Sequence, residues 1–188
     1  GKLAAVKFLV AEGADISKED KDGYTVLHSS AVGGEAKVME FLLQCGKDIN
    51  ELTVDGETVL HVAARHENLE ALKYLVEKGA DINKTDKHGY TVLHSSAVRG
   101  EPKVMEFLLQ CGRDINESNN LGETPLLIAA WKGKIEGVRF LIEEGADMSE
   151  VSKNGYTVLH WGAAGGWLCR TVSAPAGVCP VDSTACCH

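Results

Sequence analysis

An all-α solenoid, built of stacked helix–turn–helix units with projecting turn or β-hairpin fingers, is the fold class this sequence predicts. Three observations predict it. Glycines at 23, 56, 89, 122 and 155 stand 33 residues apart. Those at 13, 46, 79, 112 and 145 form a second ladder with the same period. Two ladders in one phase mark a repeat array, whose units stack on their neighbours into an elongated slab. The third observation is a near-duplicate: 23–51 and 89–117 differ only at Gly33/Arg99, Ala36/Pro102 and Lys47/Arg113. The copies lie 66 residues apart, so a block of two units was copied once.

Each unit reads in the same order. The words around the first ladder are DGYTVLH, DGETVLH, HGYTVLH, LGETPLL and NGYTVLH. Thr25, Thr58, Thr91, Thr124 and Thr157 stand where a hydroxyl caps the first free amides of a helix. Pro125 then falls at the first helical position, where a missing N–H costs nothing. A short helix follows, such as VLHVAAR at 59–65, whose Ala63 and Ala64 let a neighbour approach closely. Gly34, Gly100 or Gly133 breaks it. The second helix carries apolar residues at helical spacing: Val38, Met39, Phe41, Leu42 and Leu43, echoed by Ala71, Leu72, Tyr74, Leu75 and Val76. It stops at a second-ladder glycine, suited to the left-handed position after a helix. The polar stretch that follows, such as ADINKTDKHGY at 80–90, reads as an extended turn or hairpin.

A 33-residue unit of a turn and two helices, with TxLH and GADIN words, resembles the ankyrin repeat. The resemblance covers residues 1 to about 165. On it, 1–166 is an ankyrin-repeat domain: a half repeat at 1–17, repeats beginning near 20, 53, 86 and 119, and a truncated repeat at 152–166. After 167 the pattern fails, since Arg170, Thr171, Ala174 and Pro175 stand where apolar residues of a second helix belong, and proline there breaks a helix. The 167–188 tail is expected to be disordered, with fraying of the last repeat beside it. The GYT and GET units alternate, and the second GET unit has diverged. Pro125, Leu127 and Trp131 stand where the first has Val59, His61 and Arg65.

What the resemblance implies about function is docking of another protein on a concave face made of fingers and first helices. Carrying the family's contact positions onto this chain gives Tyr24, Glu57, Tyr90, Glu123 and Tyr156 after the first-ladder glycines. The exposed ends of the first helices add Arg65, His66, Arg99, Trp131 and Lys132, with Val32 and Val98 between them. Tyr, Trp and Arg are the residue types most often found at binding hot spots. With units about 10 Å apart, three tyrosines form a row with a carboxylate between each pair, which suggests a basic or amphipathic partner segment. The expected protein is a monomeric, non-enzymatic, intracellular and cytoplasmic interaction module with no cofactor. Two alternatives are a regulatory or targeting segment of a larger enzyme or channel, and a fragment of a secreted repeat-containing effector. A start at Gly1 rather than Met favours a piece of something longer.

Composition narrows the classes. With 44 % hydrophobic and 24 % charged residues the chain is globular in character. A formal charge of −8 argues against a broad basic footprint for nucleic acid. No apolar run reaches the roughly 18 residues of a membrane span. His28, His61, His94 and His160 recur once per unit, too far apart to share a metal at about 2 Å bonds. The resemblance implies hydrogen bonds for them within the finger and to the next unit. The carboxylates of Asp48, Asp81, Asp114 and Asp147 are likewise one per unit and read as turn caps rather than acid–base pairs. No phosphate loop, nucleophile elbow or HExxH occurs. Cys45 and Cys111 are two units apart, about 20 Å by helix spacing, beyond the about 7 Å a disulfide spans. Cys169, Cys179, Cys186, Cys187 and His188 match no CxxC zinc spacing.

Overall fold

The computed structural model describes residues 1–164 of the 188. The truncated repeat's last two residues and the whole 167–188 tail, with its four cysteines, lie outside the described residues. Among the described residues ten helices follow one another: α1 (Lys2–Ala11), α2 (Val26–Val32), α3 (Ala36–Gln44), α4 (Val59–Arg65), α5 (Leu69–Glu77), α6 (Val92–Ala97), α7 (Pro102–Gln110), α8 (Pro125–Trp131), α9 (Ile135–Glu143) and α10 (Val158–Ala164). They sort into two rows. First helices α2, α4, α6, α8 and α10 pack side by side, and so do second helices α1, α3, α5, α7 and α9. Each first helix from α2 to α8 also packs on the second helix that follows it.

The core lies between the rows. Leu27, Leu60, Leu93 and Leu126 recur at one position of the first helices, and Leu42, Leu75, Leu108 and Leu141 at one position of the second. All are essentially inaccessible. Small residues set the spacing of the first row, where Ala31, Ala64 and Ala97 are fully buried. No single unit encloses its own leucines, so the apolar burial that stabilises each depends on the next.

The caps follow the sequence reading. Thr25, Thr58 and Thr91 accept from the backbone of the histidine three residues on, whose side chain in turn reaches back to the threonine N–H. In the fourth unit Thr124 still caps Leu127 N, with Pro125 at the first helical position, but Leu127 cannot reach back. Gly13, Gly46, Gly79, Gly112 and Gly145 all take φ between 85° and 92°, closing the second helices with backbone bonds such as Ala80 N to Leu75 O at 2.9 Å. The turn after them is fixed by its carboxylates: Asp48, Asp81, Asp114 and Asp147 each accept the N–H two residues on, at 2.8–3.0 Å.

The fingers are tight turns rather than sheets, with two isolated antiparallel bridges, Glu19 to Thr25 and Leu52 to Thr58. One cross-bond recurs in all five: Asp20 N to Tyr24 O, Thr53 N to Glu57 O, Asp86 N to Tyr90 O, Asn119 N to Glu123 O and Ser152 N to Tyr156 O, at 2.9–3.0 Å. Neighbouring fingers are also joined, by Val54 N to Asp22 O, Lys87 N to Asp55 O, Asn120 N to His88 O and Lys153 N to Leu121 O. Their approach is close enough to demand glycine. A Cβ on Gly89, which has φ +79°, would lie 2.8 Å from Asn120 N.

Candidate functional site

The candidate surface is built from the fingers and the far ends of the first helices. Finger shape comes from one side chain per unit. Asp20 and Asp86 accept from the N–H two and four residues on, Asn119 does the same, and Thr53 and Ser152 accept from the fourth. This sets the residue after each glycine beside the first helix of its own unit and the finger of the next.

Tyr24, Glu57 and Arg65, read from the sequence as separate contact points, come together in one network. The Arg65 guanidinium grips the Glu57 carboxylate through both nitrogens and donates to the Tyr24 hydroxyl at 2.5 Å. Tyr24 in turn donates to Glu57 Oε2 at 3.2 Å, crossing from the first unit to the second. Burial pushes the Glu57 carboxyl up, but the hydrogen bonds and charge of Arg65 outweigh it and hold the group below its ordinary value. The Tyr24 phenol is pushed up to about 12, first by burial and then by the Glu57 charge.

Tyr90 and Glu123 repeat the motif two units on, with a different third member. Tyr90 donates to Glu123 Oε2 at 2.9 Å, and Asn119 donates to the same oxygen at 2.7 Å. Where the second unit has Arg65, the fourth has Trp131. An amide has replaced a guanidinium as the group that answers the carboxylate, and Glu123 is the more buried of the two acids. Glu57 and Glu123, expected to stand open between tyrosines, are each hydrogen-bonded to the tyrosine of the unit before.

At the far end, Tyr156 packs edge-on against Trp161 and His160, and Trp161 against Trp131. Lys132 Nζ sits 4.0 Å from the centre of the Trp131 ring, a cation–π contact. Trp131 is nine-tenths buried and forms the floor of this corner rather than its rim. His66 closes α4, half-buried, and Arg99 follows α6, exposed.

His61 and His94 take the structural role that the resemblance implies, while His28 and His160 are held by the threonine of their own unit. In His61 the Nδ1 accepts from Thr58 N, so Nε2 carries the proton and donates to Tyr90 O at 3.0 Å. His94 does the same between Thr91 N and Glu123 O. Burial, first of all, pushes both imidazoles down to about 4. Leu127 has no such bond to offer the last finger. Among the described residues no group of three His, Cys, Asp or Glu is placed to hold a metal ion, and no helix is long and apolar enough to cross a membrane.

Sequence reasoning missed Asn119, Asn68 and the exposed finger tips. Asn119 was visible in principle, because 20, 53, 86, 119 and 152 read Asp, Thr, Asp, Asn and Ser, all turn formers one period apart. Asn68 donates to both Ala31 O and Val32 O at 2.7 Å, closing the end of α2 from the next unit. Its equivalents are Glu35, Glu101 and Lys134, so no periodic signal announced it.

A family model described as "Ankyrin repeats (3 copies)" matches residues 1–86, 38–119 and 93–172. No curated protein matches the chain.

Proposed function

Since this chain belongs to the ankyrin-repeat family, whose members generally serve as protein–protein interaction modules, we propose that it docks another protein on the concave face formed by its fingers and first-helix ends. The residues in contact are drawn from Tyr24, Glu57, Tyr90, Glu123, Tyr156, Arg65, His66, Arg99, Trp131 and Lys132. One observation carries the reading. Fingers are tied to each other by a backbone bond at every junction, and tyrosines are tied to the carboxylates of the next unit. The surface is thereby rigid before a partner arrives, so little ordering entropy opposes binding. The function is non-enzymatic, and positions along the face differ from unit to unit while the buried positions repeat. That is the distribution expected where specificity lies on the surface and the interior only supports it.

The test uses the full chain as bait, with the captured protein identified and its affinity measured against two sets of variants. Replacing Arg99, Lys132 and Tyr156 by Ala is expected to weaken binding at least tenfold. Replacing Lys103, Glu106 and Arg139 on the second helices by Ala is expected to leave it unchanged. Equal effects of both sets, or an effect of the second set only, would place the docking surface elsewhere.

A further inference from the structure

The first and fifth fingers carry one sequence with one difference. Residues 21–28 read KDGYTVLH and residues 153–160 read KNGYTVLH, so Asn154 stands where Asp22 does. With Gly155 it forms the single Asn–Gly pair of the sequence. Such a pair suits a tight turn. It also leaves the side-chain amide open to the next backbone nitrogen, because glycine has no Cβ to block the approach. Asp22–Gly23 and Asp55–Gly56 are the related aspartyl pairs, whose carboxyl groups are open to the same attack. The structure separates the three. A Cβ placed on Gly23 would lie 2.5 Å from Val54 N of the next finger, and one on Gly56 would lie 3.2 Å from Lys87 N. Around Gly155, which has φ +76°, nothing among the described residues beyond its chain neighbours comes within 4 Å of that point. Asp22 O and Asp55 O are held by Val54 N and Lys87 N, each at 3.0 Å. Among the described residues no such bond reaches Asn154 O. Asn154 and Gly155 are both exposed, whereas Gly23 is buried and Gly56 half-buried.

We infer that Asn154 is a self-modification site, converted to aspartate and isoaspartate through a cyclic imide formed with the Gly155 nitrogen. The Gly155 N–H gives its proton to solvent base, and the nitrogen bonds to Asn154 Cγ. The Cγ–Nδ2 bond breaks, and the leaving nitrogen takes up a proton and departs as ammonia. Water then opens the imide ring. Addition at Cγ restores the ordinary backbone and leaves an aspartate side chain. Addition at the main-chain carbonyl carbon leaves the chain running through Cγ, as isoaspartate. Solvent water is the only co-reactant, and nothing is oxidised or reduced. One bond opposes the attack: Gly155 N donates to Ser152 O at 2.8 Å, so ring closure waits on a local opening of the finger. Such openings cost least where few neighbours hold the backbone. In the first two fingers the same opening also strains a bond to the next finger. The fold accommodates the aspartate product, which turns 153–160 into a copy of 21–28, where Asp22 is exposed. Both fingers already close alike, by Asp20 N to Tyr24 O and Ser152 N to Tyr156 O at 3.0 Å. Conversion adds one negative charge two residues before Tyr156, and it proceeds whether or not a partner docks there.

The experiment incubates the full chain in mildly alkaline buffer, digests samples at intervals and follows every asparagine-containing peptide by mass spectrometry. The Asn154 peptide should gain the mass difference between an amide and an acid at least tenfold faster than the peptides of the other asparagines. It should also split into two chromatographic products, with ammonia released in step. Asn154→Gln, whose ring closure is unfavourable, should abolish both signals. Isoaspartate at Asp22 and Asp55 should form at least tenfold faster in the chain unfolded by guanidinium than in the folded chain. Asn154→Asp should keep the parent's circular dichroism and thermal midpoint. Conversion of Asn154 in the folded chain no faster than that of Asn83 overturns the inference, as does ammonia release that Asn154→Gln leaves unchanged. Equal rates at Asp22 and Asp55 in the folded and unfolded chain overturn the argument that stacked fingers decide which pair reacts. An Asn154→Asp variant that loses the fold overturns the claim that the product is accommodated.

Discussion

Arg65 gives the sharpest test of the network beneath the first two fingers. Its guanidinium bonds twice to Glu57 and once to Tyr24, and the side chains of the ion pair are 18 % and 12 % exposed. Two charges about 4 Å apart attract by about 4 kcal/mol at an effective dielectric constant near 20. Much of that attraction only offsets the desolvation of the two groups. Breaking a fully buried pair from one side costs about 3–5 kcal/mol. The residual exposure screens this pair in part, so Arg65→Met is expected to cost about 2–3 kcal/mol. Most of the loss is the Glu57 carboxylate left without its cation. Removing that charge as well, in Glu57→Gln/Arg65→Met, should recover about 1–2 kcal/mol of coupling. Urea unfolding followed by circular dichroism measures all four corners of the cycle, provided a constant m value shows that the units still unfold together. Strictly additive effects, or single-variant losses below about 0.5 kcal/mol, would refute the view that Arg65 compensates the desolvated Glu57 charge.

Glu67 takes φ +60° at a position where the other units have Gly34, Gly100 and Gly133. Glu67→Gly should therefore raise the urea midpoint, relieving left-handed strain of about 1 kcal/mol. Gly137→Ala should lower it by about 1–3 kcal/mol, since its Cβ would lie 2.8 Å from Gly100 Cα where α9 crosses the preceding loop. Thermal melts between pH 7 and 4 should show progressive destabilisation. His61 and His94 stay neutral in the fold down to about 4, whereas unfolded histidine binds protons from about 6.5. The unfolded state then holds more protons, so stability is complete above pH 6.5 and is lost as pH falls towards 4. Each histidine contributes a slope of up to about 1.4 kcal/mol per pH unit. His61→Gln should flatten the slope between pH 6.5 and about 4; an unchanged slope would show that the imidazole titrates freely.

The linear pattern alone fixed the units, their period, their caps and the inward-facing leucines. Local geometry dictates each of these: threonine at a helix start, glycine where φ must be positive, leucine on a 3.6-residue stripe. Such requirements act over a few residues and so leave a mark in every copy. The superperiod was also legible, as GYT against GET, but not its cause. Stacking supplied that cause, because a tyrosine of one unit meets the glutamate of the next across 33 residues. Arg65 and Asn119 answer equivalent carboxylates, Glu57 and Glu123, from different elements, a helix end in one unit and a finger in the other. No spacing rule relates them, since what selects them is the need to compensate a desolvated charge wherever a donor can reach it. The same packing buried Trp131 and left Lys87 and Lys153 on the rim. Exposure is decided by neighbouring units, and only the assembled stack determines which side chains remain for a partner to touch.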